Sequence, residues 1–302
     1  MCFKTTPRDQ DPYANSPSHK AFTRSFLSKS TVEFGQDDFL ACPLGVLFML
    51  SILLGTGGVR GNTGFQIGKS LRLKSMFSPS NLSEAREETK SLYKELVESF
   101  TTETTTKDQQ IGQVVKISTG IFIQETFEIN SNFQESVKAD FQEEIEKDIR
   151  FTFVILLPLN KWEIHKPVQV LNGNKILSEY VNTLKETTVS LRLPRFNLKK
   201  TVDLVKPMEA MGIIDLFRPL EANVSGISPN ETLYINAILQ TSMLKVDESG
   251  IEAAAVTSPI LVPVSFIRSE IDFHVTHPFI CFIYDQQLSM PVMAAKVVEP
   301  ML

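Results

Sequence analysis

The segment that most constrains the fold runs from Lys245 to Ser265 and reads KVDESGIEAAAVTSPILVPVS. Three consecutive alanines, Ala253 to Ala255, lie among residues of low helix propensity, and Pro259 and Pro263 exclude a continuing helix. Two structures are compatible with this pattern. One is a helical turn ahead of a loop. Because small and β-branched residues also suit a strand, the other is a segment that is exposed loop in one state and buried strand in another.

The overall composition indicates a globular chain with one large domain or two ordinary ones. Its 302 residues are 42% hydrophobic and 22% charged, which is enough to form a sizeable core. The net charge of -5, without a cluster of Lys and Arg, argues against a nucleic-acid partner. Three scattered cysteines, Cys2, Cys42 and Cys281, are too few for a disulfide framework or a zinc site.

The N-terminal part of the chain shows neither a secretory signal nor a membrane span. Residues 1–15 lack an apolar core, and we predict that residues 1–20 are disordered. The first strong apolar run, Phe39 to Leu54, is interrupted by Pro43 and is shorter than the roughly 20 residues that cross a bilayer. We therefore predict a helix buried on all sides, with Pro43 in its first turn and Gly55 at its end.

Helical and strand periodicities alternate along the chain and predict an α+β fold. The segment Gly61 to Ser70 has glycines like a phosphate-binding loop, but their spacing is wrong, and a packing helix explains it better. The other predicted helices are Ser83–Phe100, Asn132–Ile149 and Val202–Phe217. The predicted strands are Lys116–Gln124, Phe151–Pro158, Thr188–Phe196, Leu233–Val246, Asp272–Val275, Phe279–Tyr284 and Met290–Val298.

No catalytic or metal-binding motif occurs in the sequence. Of the four histidines, His274 and His277 are predicted to point to opposite faces of one strand, so they cannot share a metal ion. We predict that the protein is not an enzyme and binds no metal or cofactor. The glycosylation sequons at Asn81, Asn223 and Asn230 weakly favour secretion.

Two motifs near the C-terminus resemble the serpins, protease inhibitors whose reactive loop inserts into their own main sheet. They are Leu233–Thr257 (LYINAILQTSMLKVDESGIEAAAVT) and His277-Pro278-Phe279. Earlier landmarks in family order are Cys42-Pro43-Leu44, Ile117–Gln124, Leu193-Pro194-Arg195-Phe196 and Met211-Gly212-Ile213. The resemblance implies an α+β serpin domain over residues 21–302, with a large mixed sheet, packed helices and an exposed reactive loop at about 250–271.

The resemblance further implies a suicide mechanism in which a serine protease cleaves the loop and the loop inserts. Family spacing places the cut at Val264–Ser265, with Ile267–Arg268 or Arg268–Ser269 as alternatives. The target would be elastase-like for Val264 and trypsin-like for Arg268. We expect a monomer without a membrane partner, extracellular by resemblance, although the absence of a visible signal is also compatible with the cytoplasm. The implied hinge consists of Glu248, Gly250, Ile251, Glu252, Ala253, Ala254, Ala255, Val256 and Thr257.

Several departures from the family pattern bear on inhibition. The chain is shortened near residues 150/151, where the family has a central strand beside the inserting loop. Cys42, Gly45 and Gln240 stand where the family carries a hydrogen-bonded latch, so the latch is absent in its usual form. Ile251 is bulkier than usual, and Pro259 would remove a ladder hydrogen bond if it inserted centrally. Three alternatives stay open: an inhibitor, a non-inhibitory binding protein and an inactive truncated product.

Overall fold

The computed structural model describes residues 17–33, 37–77, 81–101, 129–140, 151–172, 177–185, 187, 189–229, 233–247, 250–252 and 271–299. The helices are α1 (Ser18–Glu33), α2 (Pro43–Gly55), α3 (Gly61–Ser70), α4 (Leu82–Thr101), α5 (Ser131–Asp140), α6 (His165–Asn172), α7 (Leu177–Val181) and α8 (Val205–Ala210). The strands are β1 (Phe39–Ala41), β2 (Phe151–Leu156), β3 (Val189–Arg192), β4 (Phe196–Asp203), β5 (Leu239–Asp247), β6 (Gly250–Glu252), β7 (Ile271–His274), β8 (Phe279–Asp285) and β9 (Met290–Val297).

The core lies between a four-stranded sheet and the helix α2. The strand order is β1-β9-β8-β2, and every neighbouring pair is antiparallel. Every residue of β8 and β9 is buried, as expected for continuous apolar runs covered on both faces. The helix α2 is buried along almost its whole length and packs against β9. This part of the α+β prediction is confirmed.

The predicted helix over Phe39–Leu54 is wrong at its start. Phe39 to Ala41 form β1, which pairs with β9, and the helix begins only at Pro43. Proline disfavours a helical conformation in the residue before it, and Cys42 is extended, with φ -114° and ψ 91°. The apolar run thus contains a strand and a helix, separated by the residue that Pro43 restricts.

The remaining described strands form two smaller sheets. One has the order β4-β5-β6 and is antiparallel, and the other is the parallel pair β3-β7. The predicted strand over Leu233–Val246 begins only at Leu239, and the predicted helix over Val202–Phe217 shrinks to α8, with Pro207 near its start. The first helix begins at Ser18, three residues before the predicted domain boundary. Ile117–Gln124, residues 1–16 and residues 141–149 lie outside the described residues.

Burial of His19 in α1 makes stability depend on pH. Its side chain is 6% exposed, and its Nε2 atom has no hydrogen-bond partner among the described residues. Burial lowers the pKa of His19 to about 4, the charge of Lys20 acts in the same direction, and a backbone hydrogen bond at Leu288 opposes both. Between the ordinary pKa of 6.5 and about 4, the unfolded chain therefore binds a proton that the folded chain does not.

We expect the free energy of unfolding to fall by about 2 kcal/mol through His19 when the pH drops from 7 to 5. Chemical denaturation at the two pH values measures this change. A His19→Gln variant, which cannot take up the proton, should lose this contribution to the pH dependence. The exposed His274 supplies the control, because His274→Gln should keep the parent's pH dependence. An unchanged pH dependence in His19→Gln would show that this histidine is not the source.

Candidate functional site

The candidate site is the edge of the three-stranded sheet, where the predicted hinge meets β5. On one side, β5 pairs with β4 along the whole of β4. On the other side, β6 folds back antiparallel to the C-terminal end of β5. Three residues of the predicted hinge therefore already form a strand beside β5. Their register pairs are Asp247 with Gly250, Val246 with Ile251, and Lys245 with Glu252.

The other predicted loop residues fall outside the part of the chain that the structure describes. They include the remaining hinge residues and all the residues at the proposed cuts. The structure thus brings Gly250, Ile251 and Glu252 together with β5. The position of the scissile bond stays a prediction from the sequence. The undescribed residues are Glu248, Ala253, Ala254, Ala255, Val256, Thr257, Val264, Ser265, Ile267, Arg268 and Ser269.

The two faces of β5 differ sharply in burial. Ser242, Leu244 and Val246 are buried, whereas Leu239 and Met243 on the opposite face are 68% and 42% exposed. This alternation follows from the two-residue period of a strand. A strand added beside β5 would direct every second residue into the protein and the others into solvent.

Within the described part of the chain, much of the outer edge of β5 has no strand beside it. Among the described residues, β6 opposes only Lys245 to Asp247, and no strand faces Leu239 to Leu244 on that side. Backbone N–H and C=O groups at such an edge can pair with an extended segment.

The motif His277-Pro278-Phe279 fixes the chain just after the undescribed loop. The His277 Nε2 atom lies 2.7 Å from the carbonyl oxygen of Pro158, and the Phe279 ring packs edge-on against Phe196 at 5.9 Å. These contacts tie the loop's end to the turn after β2 and to the start of β4. The prediction that His274 and His277 share a strand is wrong, because β7 ends at His274.

The side-chain amide of Gln240 ties β5 to the junction of β1 and α2. Gln240 Oε1 accepts a hydrogen bond from the Cys42 backbone N–H at 2.7 Å, and Gln240 Nε2 donates to the Cys42 carbonyl at 2.8 Å. Cys42 precedes the first residue of α2 and makes no side-chain cap. The sequence indicated that a latch of the usual form is absent. The structure adds a pair of bonds, here called the Gln240 clasp, in its place.

The two described cysteines, Cys42 and Cys281, are free and buried. Burial raises the pKa of the Cys42 thiol to about 11, although the backbone amides of Gly45 and Leu44 act in the opposite direction. Burial also raises the pKa of Cys281. Both thiols are therefore neutral at physiological pH, and neither is activated as a nucleophile.

The described residues form neither a metal site nor a membrane-spanning helix. No group of three or more His, Cys, Asp and Glu side chains in this part of the chain could hold a metal ion. None of the described helices is both long and apolar enough to cross a bilayer.

A family model and a solved structure both cover most of the chain. The family model, described as serpin (serine protease inhibitor), matches residues 17–151 and 147–300. A serpin from the trematode Schistosoma haematobium is 41% identical, and the alignment covers 94% of this chain and 100% of that one with a TM-score of 0.81. Its similarity extends across both sides of the region near residue 150.

Two further proteins show how far the similarity reaches. Serpin B12 of Homo sapiens is 31% identical over 173 residues, which is 56% of this chain and 42% of that protein. The chain thus covers less than half the length of this curated relative. A structure of human thyroxine-binding globulin complexed with its ligand is 15% identical, with a TM-score of 0.71 and coverage of 97% of this chain and 100% of that one. The last likeness concerns the fold alone.

Proposed function

The chain belongs to the serpin family, and from this premise we propose that it inhibits a serine protease as a suicide substrate. The protease attacks the loop between β6 and β7 and forms an acyl-enzyme. The acylated loop then pairs with the open edge of β5 and draws the enzyme along, which distorts the enzyme before the acyl bond is hydrolysed. Serpins are not themselves enzymes, in agreement with the sequence-based prediction.

The pairing of β6 with β5 is the observation that carries this proposal. Continuing its register places Ala253 opposite Leu244 and Ala255 opposite Ser242, which are 1% and 6% exposed. Both inward positions would then receive a methyl group, which can enter a packed interior with little displacement of its neighbours. The alanine run therefore has the composition that the buried face of β5 requires of an added strand.

The same register answers two of the doubts raised by the sequence. Ile251 lies opposite Val246 in β6, so the backbone of this bulkier residue already pairs with β5. Ser258 would lie opposite Leu239, the first residue of β5, and Pro259 would fall beyond the end of that strand. Insertion as far as Ser258 therefore needs no backbone donor from a proline.

We propose Val264–Ser265 as the cut, with Ile267–Arg268 and Arg268–Ser269 as alternatives. A chymotrypsin-fold protease selects mainly by the residue before the scissile bond. Val264 would fit the small pocket of an elastase-like enzyme, whereas Arg268 would fit a pocket with a carboxylate at its base. The proposed partner is accordingly an elastase-like or a trypsin-like serine protease, bound by a monomer outside the cell.

Charge substitutions at the two candidate positions should separate these targets. We expect Val264→Asp to abolish the covalent complex with an elastase-like enzyme and Arg268→Asp to leave it intact. The reverse pattern with a trypsin-like enzyme would assign the cut to Arg268. Complexes are detected on denaturing gels after incubation with each enzyme. If the parent chain forms no complex with elastase-, chymotrypsin- or trypsin-like enzymes, inhibition of these serine proteases is refuted.

The alternative is a serpin-fold protein that binds a partner without inhibiting, as thyroxine-binding globulin binds its ligand. One observation favours it: the Gln240 clasp stands in place of the family's usual latch and ties β5 to Cys42. We also keep as a proposal that the domain over residues 21–302 is shortened near 150/151, where the two family matches meet. An inactive truncated product would form no complex and bind no ligand.

A further inference from the structure

The turn between β2 and α6, here defined as residues 157–166 and called the β2–α6 turn, exposes two large apolar side chains. Leu159 is 93% exposed and Trp162 is 79% exposed. A single exposed apolar residue is ordinary on a protein surface. Two of them within four residues at one turn form a local apolar tip, and such tips commonly mark an interaction site.

Hydrogen bonds and an ion pair hold this turn in its shape. The Glu163 backbone N–H donates to the Asn160 carbonyl at 3.0 Å, and Lys166 Nζ lies 2.6 Å from Glu163 Oε1. The Pro158 carbonyl oxygen lies 2.7 Å from the Nε2 atom of His277, which precedes β8 by two residues. Leu159 and Trp162 are therefore exposed from an internally bonded turn that is anchored to the domain.

Lys161 places a positive charge beside the apolar tip. Lys161 Nζ lies 4.5 Å from the centre of the Trp162 ring, and His165 and Lys166 are exposed just beyond it. The single acidic residue of the turn, Glu163, is bonded to Lys166. The charge of Lys161 consequently has no acidic counterpart within the turn, and it lies at the level of the exposed ring.

We propose that the β2–α6 turn docks the protein on an anionic lipid surface. Leu159 and Trp162 enter the interfacial layer, where tryptophan is favoured, and Lys161 faces the negatively charged headgroups. A protein partner is a poorer fit, because a standard interface buries about 800 Å² on each side, more than two side chains at one turn supply. The affinity of such a contact increases with the apolar area that enters the membrane and with the attraction to anionic lipid. Such a contact requires no spanning helix. It differs from the sequence-based expectation of no membrane partner, and it goes beyond protease inhibition.

The chain itself supplies the reporter for a test, because Trp162 is its one tryptophan. Intrinsic fluorescence is recorded while vesicles of phosphatidylcholine, alone or mixed with phosphatidylserine, are added to the full chain. The mixed vesicles should shift the Trp162 emission to shorter wavelength and allow quenching by a lipid-borne quencher, and the neutral vesicles should do much less. No shift with either composition, or equal shifts with both, would overturn the assignment.

Two leucine variants distinguish membrane binding through this turn from nonspecific adsorption through other exposed apolar residues. Leu159→Glu should lower the vesicle partition coefficient about tenfold or more, since an apolar insertion is replaced by a charge that anionic lipid repels. Leu220→Glu is the matched control, because Leu220 is 94% exposed on a different turn. Equal losses in the two variants would contradict the proposal. An emission shift caused by the target protease and not by vesicles would assign the turn to a protein partner instead.

Discussion

An Ala255→Arg variant is expected to be cleaved by the target protease without retaining it. In the register that β6 establishes, residue 255 comes opposite Ser242, which is 6% exposed on the buried face of β5. An arginine at that position would carry an unpaired charge into the protein interior, which costs several kcal/mol. Loop entry would then be slower than hydrolysis of the acyl-enzyme, and the protease would leave in an active form.

The measurement is the fraction of cleaved loops that end as covalent complex on a denaturing gel. Because about 1.4 kcal/mol in a barrier changes a rate tenfold, we expect this fraction to fall at least tenfold in Ala255→Arg. The rate of cleavage should change little, because residue 255 lies nine residues before the proposed cut at Val264. A variant that is no longer cleaved would indicate a misfolded loop instead of blocked insertion.

Ala254→Arg is the matched control, with the same substitution one residue earlier. Residue 254 comes opposite Met243, which is 42% exposed, so the arginine would remain in solvent after insertion. We expect complex formation within about twofold of the parent chain, as for an ordinary exposed substitution. The opposite pattern, in which Ala254→Arg fails and Ala255→Arg works, would mean a register shifted by one residue, since such a slip exchanges the two faces. If both variants retain the protease, insertion beside β5 is not the holding mechanism.

Elements with a strong local signal were predictable from the sequence. The charged and apolar periodicity of Ser83–Phe100 predicted α4 to within one residue at each end, and the apolar runs predicted β8 and β9 equally well. The strand β1 was not predictable, because Phe39 to Ala41 belong to an apolar run that continues into a helix. Its conformation depends on pairing with β9, more than 250 residues away in sequence, which no local pattern encodes.

The candidate site also has features that were predictable from the sequence and features that were not. The hinge composition around Gly250 and Ala253 was visible in the sequence, whereas the pairing of Gly250 to Glu252 with β5 was not. The Gln240 clasp had even less signal, because Gln240 bonds main-chain atoms of Cys42, and such bonds require no particular side chain on the partner. The side-chain identities therefore indicated only that the usual latch is absent, and not that Gln240 bonds the main chain of Cys42 in its place. The register between β5 and β6 supplied the inward and outward positions on which the loop variants depend.

Removing the Gln240 clasp should destabilise the protein strongly. In Gln240→Ala the Cys42 N–H loses its acceptor at 2.7 Å, and the Cys42 carbonyl loses a donor at 2.8 Å. The carbonyl retains only a long bond of 3.4 Å from the Val46 N–H, in the first turn of a helix buried almost throughout. An unsatisfied buried polar group costs about 1–3 kcal/mol, so we expect the free energy of unfolding to fall by about 3 kcal/mol. Urea denaturation measures this loss.

Thr241→Ala is the control for the clasp, on the neighbouring residue of the same strand. Thr241 is exposed and shares a 2.8 Å hydrogen bond between hydroxyl groups with Thr201 on β4. Because water can replace that bond, we expect a loss below about 1 kcal/mol. Gln240→Glu provides a second comparison. Its carboxylate can accept from the Cys42 N–H but cannot donate to the Cys42 carbonyl, whereas its protonated carboxyl group can do both, so its stability should approach that of the parent chain only when the group is protonated. If Gln240→Ala is no less stable than Thr241→Ala, the clasp does not hold β5 to α2, and the control of β5 has to be sought in its pairing with β4.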